Sequence, residues 1–123
     1  MRLGQMFFTP QGRIRRRDYW LYGVLNVTFF FVFAVILYGT LAVLGLARPA
    51  NGNGGGAWAY LYAPVFVWVS LCLTIKRLHD RGLSGWWAPL GLVPVAGWLW
   101  AIVVCGCLDG TPGENAYGPS PKP

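Results

Sequence analysis

The densest chemistry in this chain lies in Lys76-Arg77-Leu78-His79-Asp80-Arg81, which holds four charged groups and the single histidine of the sequence. On a helix, Lys76 and Asp80 stand at i, i+4, and Arg77 and Asp80 at i, i+3, so the carboxylate can pair with either cation. A histidine beside an aspartate is raw material for an acid/base pair, a proton relay or a metal site. Adjacent helical residues point about 100° apart, however, so the two need not touch. One His and one Asp are too sparse for a metal centre, and no Ser-His-Asp arrangement is evident. The pattern fits a charge network that fixes a turn at a membrane surface. No catalytic residue, metal ligand or cofactor is expected. A second cluster, Arg13, Arg15, Arg16 and Arg17, suits anionic groups. Next to an apolar run it favours anionic lipid headgroups over nucleic acid.

Three apolar runs must position these groups. No charged side chain occurs from Tyr19 to Ala47, from Ala57 to Ile75 or from Trp86 to Leu108, runs of 29, 19 and 23 residues. A bilayer core of about 30 Å needs roughly 20 apolar helical residues. With 55% hydrophobic and 11% charged residues and a mean hydropathy of +0.46, the chain lacks the roughly 25% charge that covers a water-soluble domain. The sequence thus predicts an all-α membrane protein with three transmembrane helices in one domain. The segments are 1–18 basic and cytoplasmic, 19–47 helix, 48–56 Gly-rich outer loop, 57–81 helix, 82–85 tight turn, 86–108 Pro-kinked helix, and 109–123 Gly/Pro-rich tail. The first run is about twice the length of a signal-peptide core, so it reads as a retained helix. Transporters, pumps and intramembrane hydrolases usually place ionisable groups inside their spans, and these runs have none.

Local details refine this reading. Leu3, Met6 and Phe7 fit one face of a short turn at the membrane surface. Gly82 suits the position after a helix end, and Ser84 the N-cap of the next helix. Trp86 and Trp87 read as interfacial anchors. Asn26, strongly polar within the first run, is expected to bond another helix. Cys72, Cys105 and Cys107 read as small packing residues. The GxxxG spacing of Gly106 and Gly110 is a weak dimer motif. Arg2, Arg13, Arg15, Arg16, Arg17, Lys76, Arg77 and Arg81 lie on one side of this plan, and Arg48 and Lys122 on the other. Cations favour the cytoplasm, which puts the N-terminus and the 76–85 hairpin inside and the C-terminus outside. Pro89 and Pro94 offer an alternative for the third run: a re-entrant loop that returns the tail to the cytoplasm.

Three motifs in order resemble a bacterial inner-membrane family known as domain of unknown function 805. Gly12-Arg13-Ile14-Arg15-Arg16-Arg17-Asp18-Tyr19-Trp20 is similar to its opening motif. Lys76-Arg77-Leu78-His79-Asp80-Arg81-Gly82-Leu83-Ser84-Gly85-Trp86-Trp87 is similar to its central one, and Gly113-Glu114-Asn115-Ala116-Tyr117-Gly118-Pro119 to its closing one. Lys76 stands where the family usually has Arg, and Ser120 where an acidic residue is common. The resemblance implies a small multi-pass protein of the bacterial inner membrane and brings no catalytic residue, cofactor or substrate.

The functional expectation is a non-catalytic module whose basic cytoplasmic face binds anionic lipid headgroups or a partner protein, which could be a second copy. Arg13, Arg15, Arg16, Arg17, Lys76, Arg77 and Arg81 are its candidate binding residues. His79, Asp80, Ser84, Trp86 and Trp87 form its hairpin network. The alternative is a component of a membrane enzyme or transporter that uses His79 and Asp80.

Overall fold

The computed structural model describes residues 3–45 and 57–122. The expected outer loop 48–56, with Arg48, lies outside the described residues. Four α-helices occur among the described residues: α1 (Leu3–Phe8), α2 (Arg16–Val43), α3 (Ala57–Asp80) and α4 (Ala96–Ala101). A 3-10 helix (Gly85–Leu92) precedes α4, and a π-helical turn (Ile102–Cys107) follows it.

Helix α2 begins three residues before the apolar run, at Arg16, and is 28 residues long with none of them buried. It is long and apolar enough to cross a membrane. Many of its aromatic and β-branched side chains, Phe29, Phe31 and Val35 among them, are exposed, a surface that suits lipid rather than water. Helix α3 packs antiparallel to it. Asn26 donates to Ser70 Oγ at 3.0 Å, as expected for a polar group between helices. Further along, Phe30 meets Phe66 at 4.7 Å between ring centroids and Phe33 stacks on Tyr62 at 4.9 Å. Helix α1 lies along α3. The Trp68 indole donates to Phe8 O at 3.3 Å, and Phe7 packs on Ile14, Val69 and Leu73. The turn expected from Leu3, Met6 and Phe7 is therefore a helix, and its Phe7 faces the protein.

The third run departs from the straight spanning helix over 86–108. Ala88, near its start, and Cys105, near its end, are both fully buried against Leu78. A continuous helix would separate them by about 26 Å. The chain instead enters as the 3-10 helix, reverses at Val93–Val95 and returns through α4 and the π turn. Proline causes the break. Pro94 cannot donate a backbone bond and cannot continue a helix. Val95 then takes φ 62 and ψ −68, and Ala96 N bonds Pro94 O at 2.7 Å, a γ-turn that is rare and strained outside glycine. The run is thus a helical hairpin, and the tail emerges at the end of α3 from which the run departed. This corrects the expectation of one Pro-kinked helix over 86–108.

Gly97 lets the two arms meet. A Cβ there would lie 2.1 Å from the backbone oxygen of Leu90. Because the obstacle is backbone, Gly97→Ala is expected to destabilise by about 1–3 kcal/mol or more, the range of core overpacking. Thermal melting in detergent measures this, and an unchanged melt would mean the arms are not in contact.

Candidate functional site

The end of α3 carries a Schellman motif. Gly82 N bonds His79 O at 3.0 Å and Leu83 N bonds Leu78 O at 2.9 Å, with Gly82 at φ 72, as its place in the sequence predicts. Ser84 caps the next helix by accepting from Trp86 N at 3.4 Å. This turn fixes Asp80 at the centre of a buried polar knot.

Asp80 is paired twice. Arg77 Nη1 bonds its Oδ2 from one helical turn away. Arg13, from the N-terminal loop, donates from Nε to its Oδ1 at 3.1 Å, and its Nη2 stands 3.0 Å from the same oxygen and donates to Asp80 O at 3.3 Å. Lys76 takes no part in this pairing. Its ammonium donates to Gln5 O of α1, a contact that does not need the fork of an arginine. The side chains of Arg13, Arg77 and Asp80 are 1–3% exposed. Two guanidiniums around one carboxylate leave a positive excess, which backbone carbonyls offset. Arg13 Nη1 donates to Gly113 O at 2.8 Å and Gly118 O at 3.1 Å, and Nη2 to Thr111 O at 2.8 Å. All five N–H groups of Arg13 can thus be satisfied. The tail closes over the knot: Thr111 N and Oγ1 both donate to Asp80 O, at 2.8 and 3.0 Å. Asn115 Nδ2 reaches His79 O at 2.8 Å, and Tyr117 stacks on the His79 ring at 4.0 Å between centroids with 5° between planes.

A second set of contacts seals the returning arm. Helix ends leave their last carbonyls without intrahelical donors. Here five consecutive carbonyls are covered by side chains: Val104 O by Arg81, Cys105 O and Leu108 O by Arg77, Gly106 O by Trp20, and Cys107 O by Arg16. Gly106 and Gly110, which have dimer-motif spacing, serve packing within the chain. A Cβ on Gly106 would lie 2.6 Å from the Trp20 ring, and one on Gly110 would lie 1.9 Å from Asp80 Oδ2.

The structure therefore divides the candidate binding residues. Arg13, Lys76 and Arg77 are buried and bonded inside the protein. Arg81 is half-buried on the returning arm. Arg15, Arg16 and Arg17 remain on the surface, with Arg15 also reaching Pro121 O. Of the hairpin residues, His79 and Asp80 join the knot, Ser84 caps, and Trp86 and Trp87 stand exposed. Sequence reasoning passed over Thr111, Asn115 and Tyr117 as site residues. The signal was present in the closing motif Gly113–Pro119, whose residues fold onto the other two motifs. All three motifs thus form one structure. Among the described residues no group of three or more His, Cys, Asp or Glu could hold a metal ion.

A bare apolar helix, an antiparallel partner and a sealed returning arm make a small helical protein with one helix long and apolar enough to cross a membrane. The chain belongs to the family described as "Protein of unknown function (DUF805)", which matches residues 7–119. It is 38% identical over 112 residues to the Escherichia coli K12 inner membrane protein YhaH, covering 91% of this chain and 86% of that protein. It is 40% identical over 111 residues to inner membrane protein YhaI of the same strain, with 90% and 84% covered. The uncharacterized protein YiiR is 31% identical over 142 residues, with 96% and 89% covered. No solved structure matches. These relatives make the chain a bacterial inner-membrane protein.

Proposed function

We propose that this chain is a non-catalytic inner-membrane module whose cytoplasmic face binds anionic lipid headgroups through the surface arginines Arg15, Arg16 and Arg17. In this reading α2 and α3 span the bilayer. The observation that carries it is the division of the basic residues: the knot consumes Arg13 and Arg77, while three adjacent arginines at the start of the long apolar helix stay exposed. Among the described residues every Lys and Arg belongs to the segments on the knot side. The positive-inside rule then makes that side cytoplasmic. The enzyme or transporter alternative finds less support. Both oxygens of Asp80 are paired with guanidiniums and its side chain is only 3% exposed, which leaves the carboxylate little access to a substrate.

Each exposed cation near an anionic surface contributes about 1 kcal/mol. Replacing Arg15, Arg16 and Arg17 with Gln is therefore expected to weaken retention of phosphatidylglycerol on the order of 10- to 100-fold at low salt. Added salt should weaken wild-type retention in the same way. Native mass spectrometry of protein released from mixed-lipid nanodiscs reads both effects. Retention that ignores both salt and the triple substitution would overturn the lipid reading. Co-purification of one protein lost only in the triple variant would shift it to a protein partner.

A further inference from the structure

The buried core of this protein sits at one end of its long helices. Among the described residues of α3, every buried one lies between Val69 and Asp80, whereas Tyr60 near the helix start is 79% exposed. Val69 to Asp80 covers about 16 Å at helical rise, close to half of a bilayer core of about 30 Å. Three further segments pack on this half. Helix α1 lies along it, with Phe7 on Val69 and Leu73 and with Gln5 O accepting from Lys76. The two arms of the hairpin meet Leu78 through Ala88 and Cys105. They reach as far as Phe66, where Leu92 and Trp98 border the same crevice. Beyond Phe66 the ring partners of α3 come from α2: Tyr62 stacks on Phe33 and tilts against Phe30.

The hairpin has the depth of one leaflet. Its entering arm is a 3-10 helix of 8 residues, about 16 Å long at roughly 2 Å per residue. Trp86 and Trp87 stand exposed where it begins, and indole rings favour the headgroup level. The tip over 92–96 carries no charged or polar side chain. Around it, backbone donors turn inward: Val93 N bonds Leu90 O, Ala96 N bonds Pro94 O, and Gly97 N bonds Val93 O. Irregular backbone at membrane depth needs such internal partners. Five helical segments, α1, α2, α3 and the two arms, therefore share the knot-side half. Among the described residues, α2 and α3 alone continue into the other half. At about 10 Å across each, the three extra segments add roughly 200–300 Å² to one leaflet only.

We propose that this chain is a wedge in the cytoplasmic leaflet, and that the partner its shape fits is a membrane whose cytoplasmic face is convex. The proposal rests on the spanning and orientation given above, but not on the arginines or on lipid charge. A leaflet that takes up extra area expands against its opposite, and the bilayer relieves the difference by bulging toward the wider side. Binding of inserted apolar segments is curvature-sensitive for this reason.

The experiment draws membrane nanotubes outward from giant vesicles that hold the full-length protein in both orientations. The lipid is phosphatidylcholine, which is zwitterionic and gives the arginines no net charge to select. An impermeant dye marks one orientation at a time. Lys122→Cys marks molecules with the knot outward, and Gly54→Cys those with the knot inward. Both are made in a Cys107→Ser background, because Cys107 is exposed while Cys72 and Cys105 are buried. The outer leaflet of a tube is the expanded one. Knot-outward molecules should be enriched in the tube roughly threefold over the vesicle, and knot-inward ones depleted by a similar factor. Arg15, Arg16 and Arg17→Gln should leave both ratios unchanged even where phosphatidylglycerol retention falls, which separates shape from the charge-based lipid reading. Equal partitioning of the two orientations, the opposite sign, or sorting that vanishes in the triple variant would overturn the wedge. The labelled fractions check its foundation separately. Spanning α2 and α3 make the two fractions add up to all molecules. Both sites labelled on every molecule would lay the chain flat on the surface and reject the spanning reading together with the wedge.

Discussion

Asp80→Asn is expected to destabilise the protein by about 3–5 kcal/mol, the cost of removing one partner from a buried ion pair. The reason is the accounting at the knot. Arg77 reaches Asp80 from one helical turn away and Arg13 from 67 residues away, and all three side chains are out of contact with solvent. Asparagine fits the same space, but its amide would point a donor at a guanidinium and carry no charge. Two buried cations would then face only carbonyl dipoles. The loss should appear as a large fall in melting temperature in detergent and in folded yield from membranes. His79→Gln should be much milder, since the ring stacks on Tyr117 and its Nδ1 bonds nothing in the protein. Combining Asp80→Asn with Arg13→Met should recover part of the loss, because it removes one stranded charge. An active centre would behave differently: Asp80→Asn would melt normally while the cellular phenotype disappeared. That result would return Asp80 to the enzyme or transporter reading.

The knot also shows which parts of this protein are legible in its sequence. Local rules found their targets. Apolar run length located α2 and α3, Gly82 and Ser84 marked the turn between α3 and the 3-10 helix, and helical spacing allowed the Arg77–Asp80 pair. Spacing could not show that Arg13 joins Asp80 from 67 residues away, because such pairing depends on how the chain returns. The same limit applied to the basic residues. Read as a list they formed one lipid-facing set, yet burial separates Arg13, Lys76 and Arg77 from Arg15, Arg16 and Arg17. The third run misled for a physical reason. Its 23 residues are long enough to span, and hydropathy responds to composition rather than direction. Only Pro94 and Gly97 mark the reversal, and the need for Gly97 becomes visible once Leu90 lies against it. The five carbonyls at the end of the returning arm then explain why so many arginines gather there. They are donors for a helix end that stops beside the protein instead of in water.

The reversal has an all-or-none consequence for topology. The tail residues Thr111, Gly113 and Gly118 are held by Arg13, and Arg13 lies three residues before α2 begins. Both ends of the described chain are therefore on one face, the face that gathers the cations. A reporter active only outside the cytoplasm should be silent when fused after Lys122. The same reporter inserted at Gly54, between α2 and α3 in the sequence, should be active. Cysteine labelling with a membrane-impermeant reagent should agree, with Gly54→Cys modified in intact cells and Gly12→Cys modified only after lysis. Removing the clasp with Arg13→Ala should destabilise the tail without changing its side, because the reversal at Pro94 and Val95 precedes the clasp in the chain. An active reporter after Lys122, with Gly12→Cys protected, would mean that the third run crosses the membrane. The contacts of Arg13 with the tail could not then exist. Activity after Lys122 together with labelling at Gly12→Cys would keep the knot intact and invert the whole protein, against the weight of its arginines.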